Sequence, residues 1–99
     1  MDYSPRYGRF RALLRKIRKE AGLSQSALAQ KLGKPQTFVS KSELGERRVD
    51  YPELLDFCAA CQITIAEFDR RYHKALINIE PHPKRRSPRK MDSAGRVTD

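Results

Sequence analysis

Cysteine and histidine are scarce in this chain of 99 residues, with two of each. A zinc site needs four ligands, and His73 and His82 are not paired at finger-like spacing beside Cys58-x-x-Cys61. The two thiols share the apolar side of one helical pattern, where free cysteine behaves as a small hydrophobe. No metal and no cofactor is expected. Glycine is also sparse, at five residues, and none forms a phosphate-cradling cluster. No nucleophile–base set appears, so no catalytic residue is assigned and an enzyme is not expected. No apolar run is long enough to span a membrane, and no secretory or transit signal is visible. The expected location is the cytoplasm, with no membrane partner. No segment alternates apolar and polar residues over a strand's length, which excludes a β fold. Acidic residues are the last shortage, 12 against 21 lysines and arginines. The net charge of +9 and pI of about 10.0 point to a polyanionic partner, nucleic acid before others.

What is present is helical periodicity. Phe10, Leu13, Leu14, Ile17 and Ala21 recur at the spacing of one face, predicting a helix from Tyr7 to Ala21 with a basic outer surface. Gly22 ends it. Ser24 caps a second helix, with Leu28 and Leu32 inward, and Gly33 closes that helix as a left-handed residue. Pro35 suits the first turn of a third helix. Pro52 does the same for a fourth, which runs to about Cys61 and buries Leu54, Leu55, Cys58 and Cys61, with Phe57 alongside. Thr64 and Glu67 form a capping-box pattern at the start of a fifth. Ile65, Phe68, Tyr72, Leu76 and Ile79 then make a stripe that fits a coiled-coil seam as well as the chain's own core.

The fold class is therefore all-α, a compact five-helix bundle. The domain spans 7–77, after a flexible arm at 1–6. Residues 78–99 carry three prolines, six Lys or Arg and three Asp or Glu. They hold too little apolar surface to offset their ordering entropy, and read as a disordered basic tail. Its run Pro83–Lys90 resembles a nuclear localisation signal, but a flexible DNA-backbone or partner-binding arm is preferred.

Residues 24–44 are the centre of the reading. Two short helices joined at a glycine make a helix-turn-helix, whose second helix enters the DNA major groove. After Gln36 the residues are mostly hydroxyl, amide or cationic. Gln pairs bidentately with adenine, Lys donates to guanine, and the Thr methyl packs on thymine. Gln36, Thr37, Ser40 and Lys41 are the candidate base readers. Arg47 and Arg48, in the loop that follows, are candidate phosphate contacts. On the basic first helix only Arg9 or Arg11 is placed to reach a flanking phosphate.

The set Leu13–Arg18, Gly22–Gln25, Leu28-Ala29, Leu32-Gly33, Pro35–Lys41, Glu43, Gly45–Asp50 and Ile65-x-x-Phe68 resembles the Cro and phage-repressor type of helix-turn-helix, the Xre-like family. The likeness covers about residues 10–70. It implies a lambda-repressor-like bundle that binds operator DNA as a dimer. It also implies that Gln25 helps hold DNA and that Arg18 and Glu43 form a structural ion pair. Four positions depart from the family pattern. Ala27 leaves the second helix without the second half of its capping box. Gln62 replaces the usual glycine, Lys34 a common apolar residue, and Ser42 an aromatic or aliphatic one. Ser42 is expected to weaken the packing of the third helix.

The leading expectation is a sequence-specific DNA-binding transcriptional regulator, a repressor that binds a palindromic operator as a homodimer. The alternative is the antitoxin of a toxin–antitoxin pair, with a protein partner on the fifth helix or the tail. A restriction–modification controller shares the same fold and differs only in genomic setting.

Overall fold

A computed structural model describes residues 4–77, 91–93 and 96–98. The folded body is five helices: α1 Pro5–Glu20, α2 Gln25–Leu32, α3 Gln36–Leu44, α4 Tyr51–Ala60 and α5 Ile65–Ile77. Helix α1 starts two residues before the expected Tyr7. Ser4 caps it by accepting from the Tyr7 N–H at 3.1 Å, and Pro5 occupies the first turn, where its missing donor is no loss. The expected arm at 1–6 is thus shortened, and residues 1–3 lie outside the described residues. At the other end Ala21 is exposed as the C-cap, not part of the buried face; Arg18 is buried in that turn instead.

The remaining boundaries follow local chemistry. The Ser24 hydroxyl accepts from the Ala27 N–H at 3.0 Å, and Gly33 ends α2 at φ 68°. Pro35 is the N-cap of α3 and not its first helical residue. Asp50 and Glu53 cap α4 reciprocally, through bonds of 2.8 and 3.1 Å. Asp50 comes from the loop expected before Pro52, and Glu53 from the helix expected after it. Thr64 accepts from the Glu67 N–H at 3.0 Å, while Glu67 gives its carboxylate to Arg70.

The core gathers Leu14, Leu28, Val39, Phe57 and Phe68, each 2% exposed or less, from all five helices. Burying a side chain of this size contributes about 1.5–3 kcal/mol. Two fourth-helix assignments change. Phe57 is central, and Leu55 is 39% exposed because it lies two positions round the wheel. The α5 stripe packs on α1 within the chain. Phe10 meets Phe68 and Tyr72 edge-on, at centroid distances of 5.7 and 5.8 Å, and the Tyr72 hydroxyl donates to the Arg6 carbonyl. Ile79 lies outside the described residues.

Most of the tail, residues 78–90, 94–95 and 99, also lies outside them. Within it Met91–Ser93 and Arg96–Thr98 pair as a two-stranded antiparallel ribbon, Met91 facing Thr98. No alternation pattern marks this pairing in the sequence. A ribbon of that size is marginal alone in water, so the five helices define the fold class.

Candidate nucleic-acid interface

The elbow between α2 and α3 is set by backbone geometry and small side chains. After left-handed Gly33, the Lys34 N–H returns to the Ala29 carbonyl at 3.0 Å, which satisfies an end of α2. Pro35 then holds an extended conformation, φ −69° and ψ 157°, and turns the chain into α3. Ala29 is buried beside Leu28 and Val39, which permits close approach of the two helices. On α3, Val39, Ser42 and Glu43 face inward at helical spacing, while Gln36, Thr37 and Lys41 are exposed. Ser40 is half-buried, and its hydroxyl lies 3.4 Å from the Thr37 carbonyl.

A hydrogen-bonded chain ties this exposed face to α1. Arg18 grips Glu43 with two bonds, Nε to Oε2 at 2.6 Å and Nη2 to Oε1 at 3.1 Å. Its Nη1 donates to the Leu23 carbonyl at 2.9 Å. The Gln25 amide donates to Glu43 Oε1 at 3.0 Å and accepts from Gln36 Nε2 at 3.3 Å. The buried carboxylate thereby orients Gln25, and Gln25 orients Gln36. One N–H and the amide oxygen of Gln36 remain outward-facing donors and acceptors. Gln25, assigned to DNA by resemblance, also belongs to this internal chain.

The two loop arginines differ. Arg47 forms a two-bond pair with Glu53, at 3.0 and 2.9 Å, and its guanidinium lies 4.2 Å from the Phe38 ring centre. The Glu53 hydrogen bonds raise the Arg47 pKa, and those from Arg47 lower that of Glu53. Arg47, expected to contact a phosphate, is thus braced by the fold while part of its side chain stays exposed. Arg48 is exposed, and its guanidinium stacks over the Tyr7 ring at 4.5 Å.

Lys34 and Ser42 join the same local assembly. The Phe38 ring takes the Lys34 ammonium at 5.4 Å and stacks on Phe57 at 6.1 Å. Ser42 is fully buried. Its hydroxyl donates to the Phe38 carbonyl at 2.6 Å and accepts from Arg47 at 3.3 Å. The expected packing defect at Ser42 is therefore a satisfied polar contact.

Two contacts that support the elbow escaped the sequence reading, those of Arg11 and Tyr7, and Arg11, suggested there for a flanking phosphate, is turned to the fold instead. Arg11 turns inward and donates to the Glu43 carbonyl at 3.1 Å, at the negative end of α3. Its guanidinium packs on Gly45, where φ is 87° and an added Cβ would meet Arg11 Nε at 2.9 Å. Tyr7 accepts from the Val49 N–H at 3.0 Å and holds the loop to α1. A glycine at a helix end is the sequence signal available for that close approach; nothing in the sequence marks Arg11 as its partner. The Asp50-x-x-Glu53 spacing is a capping-box signal that the sequence reading passed over.

Cys58 and Cys61 are free and buried, and burial pushes the Cys58 thiol up to about 11. Among the described residues no cluster of three or more His, Cys, Asp or Glu could hold a metal ion, and no helix is long and apolar enough to cross a membrane.

A helix-turn-helix family model matches residues 14–68. An XRE-family like protein from Pseudomonas syringae pv. tomato str. DC3000 is 38% identical, over 71% of this chain and 85% of that one, with a TM-score of 0.66. The wild-type restriction-modification controller protein C.Esp1396I shares the fold at 22% identity, over 77% of this chain and 99% of that one, with a TM-score of 0.71. Comparison with curated proteins finds no match. The matched segment contains the whole α2–α3 elbow and the ion pair that braces it, and the chain belongs to the XRE-type helix-turn-helix family of DNA-binding transcription regulators.

Proposed function

We propose that the protein is a sequence-specific repressor, acting in the cytoplasm as a homodimer on a palindromic operator. It acts by binding and not by catalysis. Each protomer places α3 in a major groove, with the two half-sites about 34 Å apart along the duplex. Gln36, Thr37, Ser40 and Lys41 read base edges. Gln25 and Arg48 sit at the flanking backbone, and Arg47 braces the loop beside them. The observation that carries this reading is the division of α3: its polar residues face out at one end, while Val39, Ser42 and Glu43 lock the opposite face. A rigid helix with outward amide, hydroxyl and ammonium groups is what direct readout requires. The net charge of +9 supplies attraction to any duplex, and the α3 side chains supply choice among sequences.

Selection of bound sequences from random duplex DNA tests the proposal. A two-fold symmetric consensus is the expected result. Enrichment of no sequence at all would overturn sequence-specific binding, and a single asymmetric half-site would overturn the dimer.

A further inference from the structure

A second cationic surface lies between α1 and α5, in a cleft of about 450 Å³. Arg9 and Lys16 line one wall, and Arg70, Arg71 and Lys74, with the single carboxylate Glu67 among them, line the other. Arg70 is paired with Glu67 and Arg71 with Glu20. Arg9, Lys16 and Lys74 form no ion pair among the described residues, and all three are exposed. Ala12 and Ala75, with the small exposed edge of the core residue Leu13, give the cleft a narrow apolar floor between its charged walls.

Position separates this cleft from the DNA-facing side. Arg11 and Arg18 point from α1 toward α3. At about 100° per residue, Arg9 and Lys16 lie roughly 160° round the helix from them. With α3 in a groove the cleft faces away from the duplex. The chain's own tail is an unsuitable occupant, because residues 78–99 are themselves net basic. An apolar strip between cationic walls matches an amphipathic helix with one acidic and one apolar face.

We propose that the α1–α5 cleft docks an acidic amphipathic helix of a partner protein while α3 holds DNA. The geometry rests on α3 being the DNA-facing helix. The docking itself is measured on the free protein, so its failure is distinguishable from failure of that reading.

The probe is a fluorescent helical peptide with Glu and Leu on opposite faces, followed by anisotropy with the full chain. Lys16→Glu combined with Lys74→Glu should weaken it by roughly tenfold or more, as expected for two reversed charges at a complementary surface. Lys31→Glu, on α2, should leave affinity within about twofold, since it lies outside the cleft. Adding the selected duplex should leave the peptide bound. If the double reversal unfolds the chain, judged by circular dichroism, the Lys16→Gln and Lys74→Gln pair is used and a smaller loss in the same direction is expected. Four results would overturn the proposal: unchanged affinity in the substituted chain, equal binding of a scrambled peptide, displacement by the duplex, or an altered salt dependence of duplex binding. A fall of about two in the salt slope of duplex binding on double reversal would assign the cleft to DNA backbone.

Discussion

The cations on the two sides of α1 have different uses. On the α3 side, Arg11 and Arg18 are consumed by the fold: one caps α3, the other anchors the Glu43 carboxylate. Arg47, nearby, braces Phe38 and Glu53. On the α5 side, Arg9, Lys16 and Lys74 stand exposed around an open cleft. A net charge of +9 therefore says little about where polyanions bind. The side nearest the recognition helix uses Arg11, Arg18 and Arg47 for rigidity, and the outward chemistry of α3 itself comes from amides, hydroxyls and one lysine.

The sharpest way to break this contrast is to remove the anchor. Glu43→Ala leaves Arg18, 6% exposed, without its partner. The expected loss is about 3–5 kcal/mol in urea unfolding, because an uncompensated buried charge remains. Replacing both residues with apolar ones of similar volume should recover most of that loss; no recovery would mean that the pair contributes more than mutual neutralisation. Gly45→Ala comes next. Its Cβ would press on Arg11 at a left-handed position, for an expected loss of about 1–3 kcal/mol. A thermal melt matching the parent protein would remove this close approach from the account.

Lys41→Ala addresses the outward chemistry. It should leave stability unchanged and weaken binding to the selected sequence by about 1–3 kcal/mol, with relaxed choice at one base pair. Equal loss on specific and random duplex would make Lys41 a backbone contact. The smallest effect concerns Glu53. Its pKa is lowered in the folded state by Arg47, so its contribution is complete above the ordinary glutamate value of about 4.3 and is lost as pH falls through the lowered value. Glu53→Gln should remove that segment of the acid limb, under about 1 kcal/mol for a partly exposed pair. An acid limb identical to the parent's would show that Arg47 does not hold Glu53 in solution.

Much of the elbow was legible because its signals are local. Ser24, Gly33 and the Leu28–Leu32 spacing act through hydrogen bonds and backbone sterics within a few residues. Errors arose where a distant contact decides. Ala21 fits the apolar spacing of α1 but falls beyond its last turn. Leu55 matches the apolar pattern of α4, yet Phe57 takes the core position against Phe38. Ser42 is different: its partners are near in sequence, the Phe38 carbonyl one helical turn back and Arg47 five residues on, and the family pattern of an apolar residue concealed them.

By itself, the sequence determined five amphipathic helices, the glycine turn between α2 and α3, and an excess of positive charge. Each depends on periodicity, capping or composition, which a linear chain carries. Only the tertiary structure decided which arginines are structural and which face solvent. Arg11 and Arg9 are two residues apart on the same helix and chemically identical. The difference lies in the direction α1 presents each one, toward the carbonyl end of α3 or toward the open cleft with α5.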